Sequence, residues 1–214
     1  DDFWKSSALK DIAVELSKLN KVQESLTIVR GISDERKKSD ALKDIAVELS
    51  KQGQVEESLA IARGISNDFW KSSALKDIAG ELNKQGLVEE SASLMQESLA
   101  IVRGISNDFW KSSALKNIAG ELNKQGLVEE SASLMQESLA IVRGMSDGWE
   151  KSRVLKDIAG ELNKQGLVEE SLAIARGISD ERKKIDALKN IAVELSKQGL
   201  VEESASLMQE SLAI

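Results

Sequence analysis

Apolar side chains recur along this chain at i, i+3, i+4 and i+7, the spacing that gathers them on one side of an α-helix. Leu42, Ile45, Ala46 and Leu49 form one such stripe, and Val55, Leu59 and Ala62 form another after a break at Lys51-Gln52-Gly53. A cation followed by glycine suits a helix stop, because lysine complements the C-terminal carbonyls and glycine accepts the left-handed conformation. Glu56 and Glu57 stand in the first turn of the next helix, where the helix dipole favours acids. Asp34 or Ser33, like Asp68 or Asn67, can cap the first helix of their units. No run alternates apolar and polar residues as a half-buried strand does. The pattern predicts an all-α chain.

The same pattern returns at a fixed period. Leu-Lys-(Asp/Asn)-Ile-Ala occurs with its leucine at 9, 42, 75, 115, 155 and 188, spaced by 33, 33, 40, 40 and 33 residues. Residues 67–106 and 107–146 agree at 38 of 40 positions, differing at Asp77/Asn117 and Ile105/Met145. Such near-identity points to recent duplication or deliberate design. The chain is therefore expected to be a single array over 1–214, with units at about 1–33, 34–66, 67–106, 107–146, 147–179 and 180–214. Each unit reads as two helices. The 40-residue period adds seven residues, Ser-Ala-Ser-Leu-Met-Gln-Glu, at 91–97 and 131–137, and the same segment stands at 204–210. Seven residues turn a helix by roughly 700°, about 20° short of two turns. The insertion is thus expected to lengthen the second helix by roughly 10 Å with its apolar face kept in line, rather than to form a loop.

Leu42-x-x-Ile45-Ala46-x-x-Leu49, followed by Ser58-x-x-x-Ala62, resembles the tetratricopeptide repeat (TPR). The turn Lys51-Gln52-Gly53 and the following Val55-Glu56-Glu57-Ser58 also look like that family's inter-helix turn. Leu42, Leu49 and Ala62 stand where the family favours aromatics, its proline is missing, and the short unit is one residue under 34. The resemblance covers all six units. It implies a right-handed α-solenoid of helix–turn–helix repeats, a concave groove lined by first helices, and a role as a non-catalytic protein-interaction scaffold.

On the first helix of unit two, Lys43, Val47, Ser50 and Lys51 lie beside the buried stripe, and in a TPR-like array this flank lines the groove. The equivalents in units three to five are Lys76-Gly80-Asn83-Lys84, Lys116-Gly120-Asn123-Lys124 and Lys156-Gly160-Asn163-Lys164. Stacked in register, they make a ladder of lysine and asparagine over glycine. Glycine inside a helix costs about 1 kcal/mol relative to alanine, so it invites a reason: a closely approaching ligand backbone or tight helix packing. The resemblance implies that these lysines and asparagines grip an acidic or carboxylate-terminated peptide. The plain alternative is a solvated helix face whose lysines pair with neighbouring acids.

The aromatic pairs Phe3-Trp4, Phe69-Trp70 and Phe109-Trp110, with Trp149, are expected just before the first helices of four units. Packing of one unit's second helix on the next unit's first is their expected role, with a partner-binding rim of Trp70, Trp110 and Trp149 as the alternative. Met95, Met135 and Met208 read as core filler. Glu89-Glu90 and Glu129-Glu130 do not converge, since adjacent helical residues point about 100° apart, and they form no metal or acid–base site.

Composition narrows the chemistry further. The 214 residues include no His, Cys, Pro or Tyr. Disulfides, thiolate sites, cysteine nucleophiles and imidazole bases are all excluded, and no catalytic residue, metal ligand or cofactor is expected. A formal charge of −7 argues against nucleic acid and anionic membranes as partners. No stretch has the roughly 18 apolar residues of a membrane span, and the expected compartment is cytoplasmic. The opening Asp1-Asp2-Phe3-Trp4 has no initiator Met and reads as a piece cut from something longer. The rival to peptide binding is a structural or designed array with no specific ligand, or a self-associating spacer joined through an uncapped last unit.

Overall fold

The computed structural model describes residues 2–214, so the expected start of the first unit at Asp1 lies outside the described residues. Twelve helices and no strand are found among them. They fall into two compact halves, residues 1–105 and 106–214. The first half holds α1 (Asp2–Lys18), α2 (Val22–Arg30), α3 (Glu35–Lys51), α4 (Val55–Arg63), α5 (Asp68–Lys84) and α6 (Val88–Gly104). The second holds α7 (Asp108–Lys124), α8 (Val128–Gly144), α9 (Trp149–Lys164), α10 (Val168–Arg176), α11 (Glu181–Lys197) and α12 (Val201–Leu212).

Within each half, odd-numbered first helices pack side by side, α1 on α3 on α5 and α7 on α9 on α11. A second helix such as α4 sits between its own first helix, α3, and the next, α5. The predicted stripe explains this arrangement. Ile45, Ala46 and Leu49 are buried, and Ala13, Val22, Val29, Ile32 and Ala41 join Ile45 and Leu49 in one core of the first half. Leu188, Ile191, Ala192 and Leu195 do the same in the second half with Ala159, Ala175, Ile178 and Leu207. Met95 and Met135 are buried and Met208 packs against that last core, as core filler should.

The predicted punctuation is present. Gly53 takes φ +79°, its N–H donates to the Ser50 carbonyl at 3.0 Å, and Gln54 N–H donates to the Leu49 carbonyl at 2.9 Å. These are the two hydrogen bonds of a Schellman stop. Asn20 fills the same place in the first unit with φ +60°. Of the alternative caps, Asp34 and Asn67 do the capping: their carboxylate and amide oxygens accept from Lys37 N–H at 2.9 Å and Trp70 N–H at 3.2 Å. The seven-residue insertion lengthens the helix. Second helices of short units such as α4 and α10 have 9 residues, whereas α6 and α8 have 17.

A buried serine fixes each helix pair. Ser25, Ser58, Ser91, Ser131, Ser171 and Ser204 donate to the carbonyls of Ala13, Ala46, Ala79, Ala119, Ala159 and Ala192, all at 2.6–2.7 Å. Small residues on both helices allow the approach, and the hydroxyl finds the acceptor that burial demands. In the long units a second bond of this kind, Ser98 to the Ser72 carbonyl at 2.8 Å and Ser138 to that of Ser112 at 2.9 Å, ties down the extension.

The extension also reaches back to the preceding unit. Arg63 at the end of α4 forks onto Glu97 of α6 with bonds of 2.9 and 2.7 Å, and Arg176 of α10 grips Glu210 of α12 at 2.8 and 2.7 Å. Hydrogen bonding to arginine holds both carboxyls below their usual value. A group with a lowered folded pKa contributes stability above its unfolded pKa and loses it as pH falls through the folded value. Since both clamps are substantially exposed, each should contribute under about 1 kcal/mol. Glu97→Gln is accordingly expected to lower stability near neutral pH by that amount and to flatten the loss below about pH 4.5, as followed by urea unfolding at several pH values.

Candidate functional site

The predicted groove residues lie on the first helices, and the two halves hold them differently. In the first half, Lys43 of α3 is half-buried between Asp44 at 3.3 Å and Asp77 at 3.6 Å. Lys76 of α5 also pairs with Asp77. Lys10 of α1 starts the same rail against Asp40 and Asp44, which stands at 3.1 Å. Burial alone would lower the pKa of Lys10, but its hydrogen bonds to the two aspartates outweigh that and raise it. Asn83 is half-buried and Lys84 exposed, with Glu81 at 2.7 Å. This face is an alternating rail of lysine and aspartate.

In the second half, Lys116 of α7 and Lys156, Asn163 and Lys164 of α9 come together around a cavity of about 360 Å³ closed on its far side by Asn190, Val193 and Lys197 of α11. Asp157, Glu161 and Glu194 also line it. Lys156 stands 3.6 Å from Asp157, and Lys164 stands 3.4 Å from Glu161. Asn123, half-buried, and Lys124, exposed with Glu121 at 3.2 Å, belong to α7 outside the cavity lining.

Asn163 is the unusual member. It is only 2% exposed, and its Oδ1 is buried with no hydrogen-bond partner. An unmatched buried polar atom costs about 1–3 kcal/mol, and this one is sealed from solvent in a residue that lines the cavity.

The helical glycines of this face differ in what surrounds them. A Cβ at Gly120 would stand 2.7 Å from Glu161 Oε1, so glycine there admits a neighbouring helix's side chain. Gly160 has nothing within 4 Å of its notional Cβ and leaves the cavity floor open. The sequence carries a signal for this site beyond the lysine ladder. Glycine at 80, 120 and 160 always accompanies asparagine three residues on, whereas valine at 14, 47 and 193 accompanies serine.

The aromatics differ from expectation. They lie inside the first turn of their helices rather than before it, since Asn67 and Asn107 are the caps. Their contacts run between first helices: Phe109 of α7 stacks on Trp149 of α9 at 6.2 Å, and Arg153 of α9 lies over both rings at 5.6 and 5.2 Å. In the first half, Lys37 of α3 covers Phe3 of α1 at 5.0 Å. Trp70 and Trp110 are half-buried, each edge-on to its own phenylalanine at 5.4 and 4.9 Å, while Trp149 is 53% exposed. Among the described residues no helix is long and apolar enough to cross a membrane, and no three acidic side chains are grouped as a metal site requires.

No family model and no curated protein sequence matches the chain. Its fold is nevertheless shared with solved structures. A variant of a protein from Podosopora anserina, named after the kinesin light chains and carrying nearly identical TPR-like repeats, aligns at TM-score 0.50 and 14% identity, over 96% of this chain and 92% of that one. BtubC (BKLC) from P. vanneervenii aligns at TM-score 0.50 and 12% identity, over 98% of this chain and 89% of its own. At such identities the likeness is one of fold: stacked helix–turn–helix repeats of TPR type.

Proposed function

We propose that this chain, a TPR-like helical repeat array, is a non-catalytic protein-interaction scaffold whose first-helix groove in residues 106–214 holds an acidic or carboxylate-terminated peptide. The unmatched acceptor of Asn163 beside the cavity carries this reading, because a backbone N–H of an extended peptide supplies the missing donor once the side chain turns toward the groove. A carboxylate then falls among Lys116, Lys156 and Lys164. Two of these cations already hold an acid on their own helix, so a ligand must share them. The reading therefore entails modest affinity that falls with salt. The first half, with Lys43, Lys76, Asn83 and Lys84, offers a weaker version of the same face.

Asn163→Ala tests the reading through two effects of opposite sign. Removing the unmatched acceptor and installing a better helix former should raise stability by about 1 kcal/mol. The same change should weaken binding of a free-ended acidic peptide at least about tenfold, the worth of one lost hydrogen bond with a charged or buried partner. Anisotropy with free-ended and amidated peptides, beside urea unfolding, reads both. A misfolded variant cannot gain stability while losing binding. Equal binding of the amidated peptide contradicts the proposal.

A further inference from the structure

Second helices of unequal length leave a notch on the opposite side of the second half. The long α8 is followed by the short α10, and between them α9 is left uncovered at Lys151 and Leu155. The resulting cavity, about 380 Å³, has Leu139 and Arg143 of α8 on one side and Ala173 and Ile174 of α10 on the other, with Glu170 on its wall. Arg143 is exposed and has no ion-pair partner among the described residues. Lys151 is engaged by Asp147 at 3.0 Å and donates to the Met145 carbonyl at 3.0 Å.

The same chain states what chemistry fills such a space. Where a short unit precedes a long one, the arginine ending the second helix forks onto a glutamate 34 residues later, Arg63 onto Glu97 and Arg176 onto Glu210. Arg143 holds the matching place at the end of α8, but 34 residues on the chain has Gly177, where α10 has already stopped. The equal serine–carbonyl bonds of Ser91 and Ser171 place α6 and α10 in the same register on their first helices. A continued α10 would therefore set a glutamate at 177 against Arg143, and the seven-residue segment of the long units is absent from unit five.

We propose that this notch is a docking groove for a partner's amphipathic helix, two turns of which supply apolar side chains to Leu139, Leu155 and Ile174 and a carboxylate to Arg143. The partner stands in for the missing extension, and α6 gives its template: Leu94 and Met95 buried, Glu97 on arginine. A helix this short is marginal alone in water, so the partner segment either is longer or folds as it binds.

The probe is a hydrocarbon-stapled, fluorescein-labelled peptide with the sequence of residues 88–103, the staple on its polar face, titrated into the full chain by anisotropy. Saturable binding is expected. Arg143→Glu should weaken it at least about tenfold, as reversal of one forked ion pair does, and a peptide with arginine at the Glu97 place should recover it. Ala173→Phe, which fills the notch from its rim, should also block it. Circular dichroism of both variants confirms that they keep the helices. A free-ended acidic peptide for the first-helix groove should not compete, which separates this site from that one. Absence of saturable binding, binding indifferent to Arg143→Glu, or failure of the charge swap to rescue overturns the proposal.

Discussion

Ile45→Ala is expected to cost about 2–5 kcal/mol, while the same change at Ile12 costs less than about 1 kcal/mol. Both residues stand in the identical segment Leu-Lys-Asp-Ile-Ala, on helices of equal length. They differ in their neighbours. Ile45 is 0% exposed and lies in the core with Val22, Val29 and Ile32, whereas Ile12 is 50% exposed. Alanine is the better helix former by a few tenths of a kcal/mol, so an account resting on local propensity predicts a slight gain at both sites. Urea unfolding of the two variants decides between the accounts. Equal costs, or a gain at both, would mean that unit-to-unit packing does not hold the first half together; a large cost at Ile45 alone is the signature of a repeat array, whose stability resides in nearest-neighbour contacts.

The second large effect concerns the serine that joins the helices of each pair. Ser131 is buried and donates to the Ala119 carbonyl at 2.7 Å. Ser131→Ala removes one hydrogen bond but leaves a carbonyl still engaged within its own helix, and should cost about 0.5–1.5 kcal/mol. Ser131→Leu must also force a branched side chain between two close backbones, which adds about 1–3 kcal/mol. The total, roughly 2–4 kcal/mol, exceeds the alanine cost because space rather than the hydroxyl sets the limit. Thermal unfolding of the pair checks the order. If leucine proved no worse than alanine, the helices at Ala119 and Ser131 would be further apart than their hydrogen bond requires.

Much of this fold was legible before any coordinates. Helical spacing placed the stripe through Ile45 and Leu49, Gly53 reads as the stop because glycine accepts a left-handed conformation, and seven residues read as added helix because they make nearly two turns and keep the apolar face in line. The buried serines were not legible as such. Serine reads as a cap or a surface residue, and only its fixed distance of twelve residues from an alanine carbonyl shows otherwise. The arginine–glutamate clamps span two units, so no local pattern reveals them. At the site, Lys43, Lys76 and Lys156 each pair with the acid next in sequence, Asp44, Asp77 and Asp157, as the plain alternative expects, whereas the reach of Lys43 to Asp77 and of Lys10 to Asp44 depends on how neighbouring helices face one another. In the sequence Asn163 is indistinguishable from Asn83 and Asn123 of the same ladder. What singles it out is a side-chain oxygen buried without a donor, a property of packing in three dimensions.

The central claim is that the first-helix face around Asn163 receives a peptide. Amide NMR of the full chain, titrated with a free-ended acidic peptide, tests it most directly, because it reports the face as well as the affinity. The account predicts that the Asn163 side-chain amide and the backbone amides of 160–164 and 190–197 shift together, and that these shifts vanish with the amidated peptide. Shifts gathered instead around Arg143, Leu155 and Ile174, or an unmoved Asn163 side chain under saturating peptide, would contradict it.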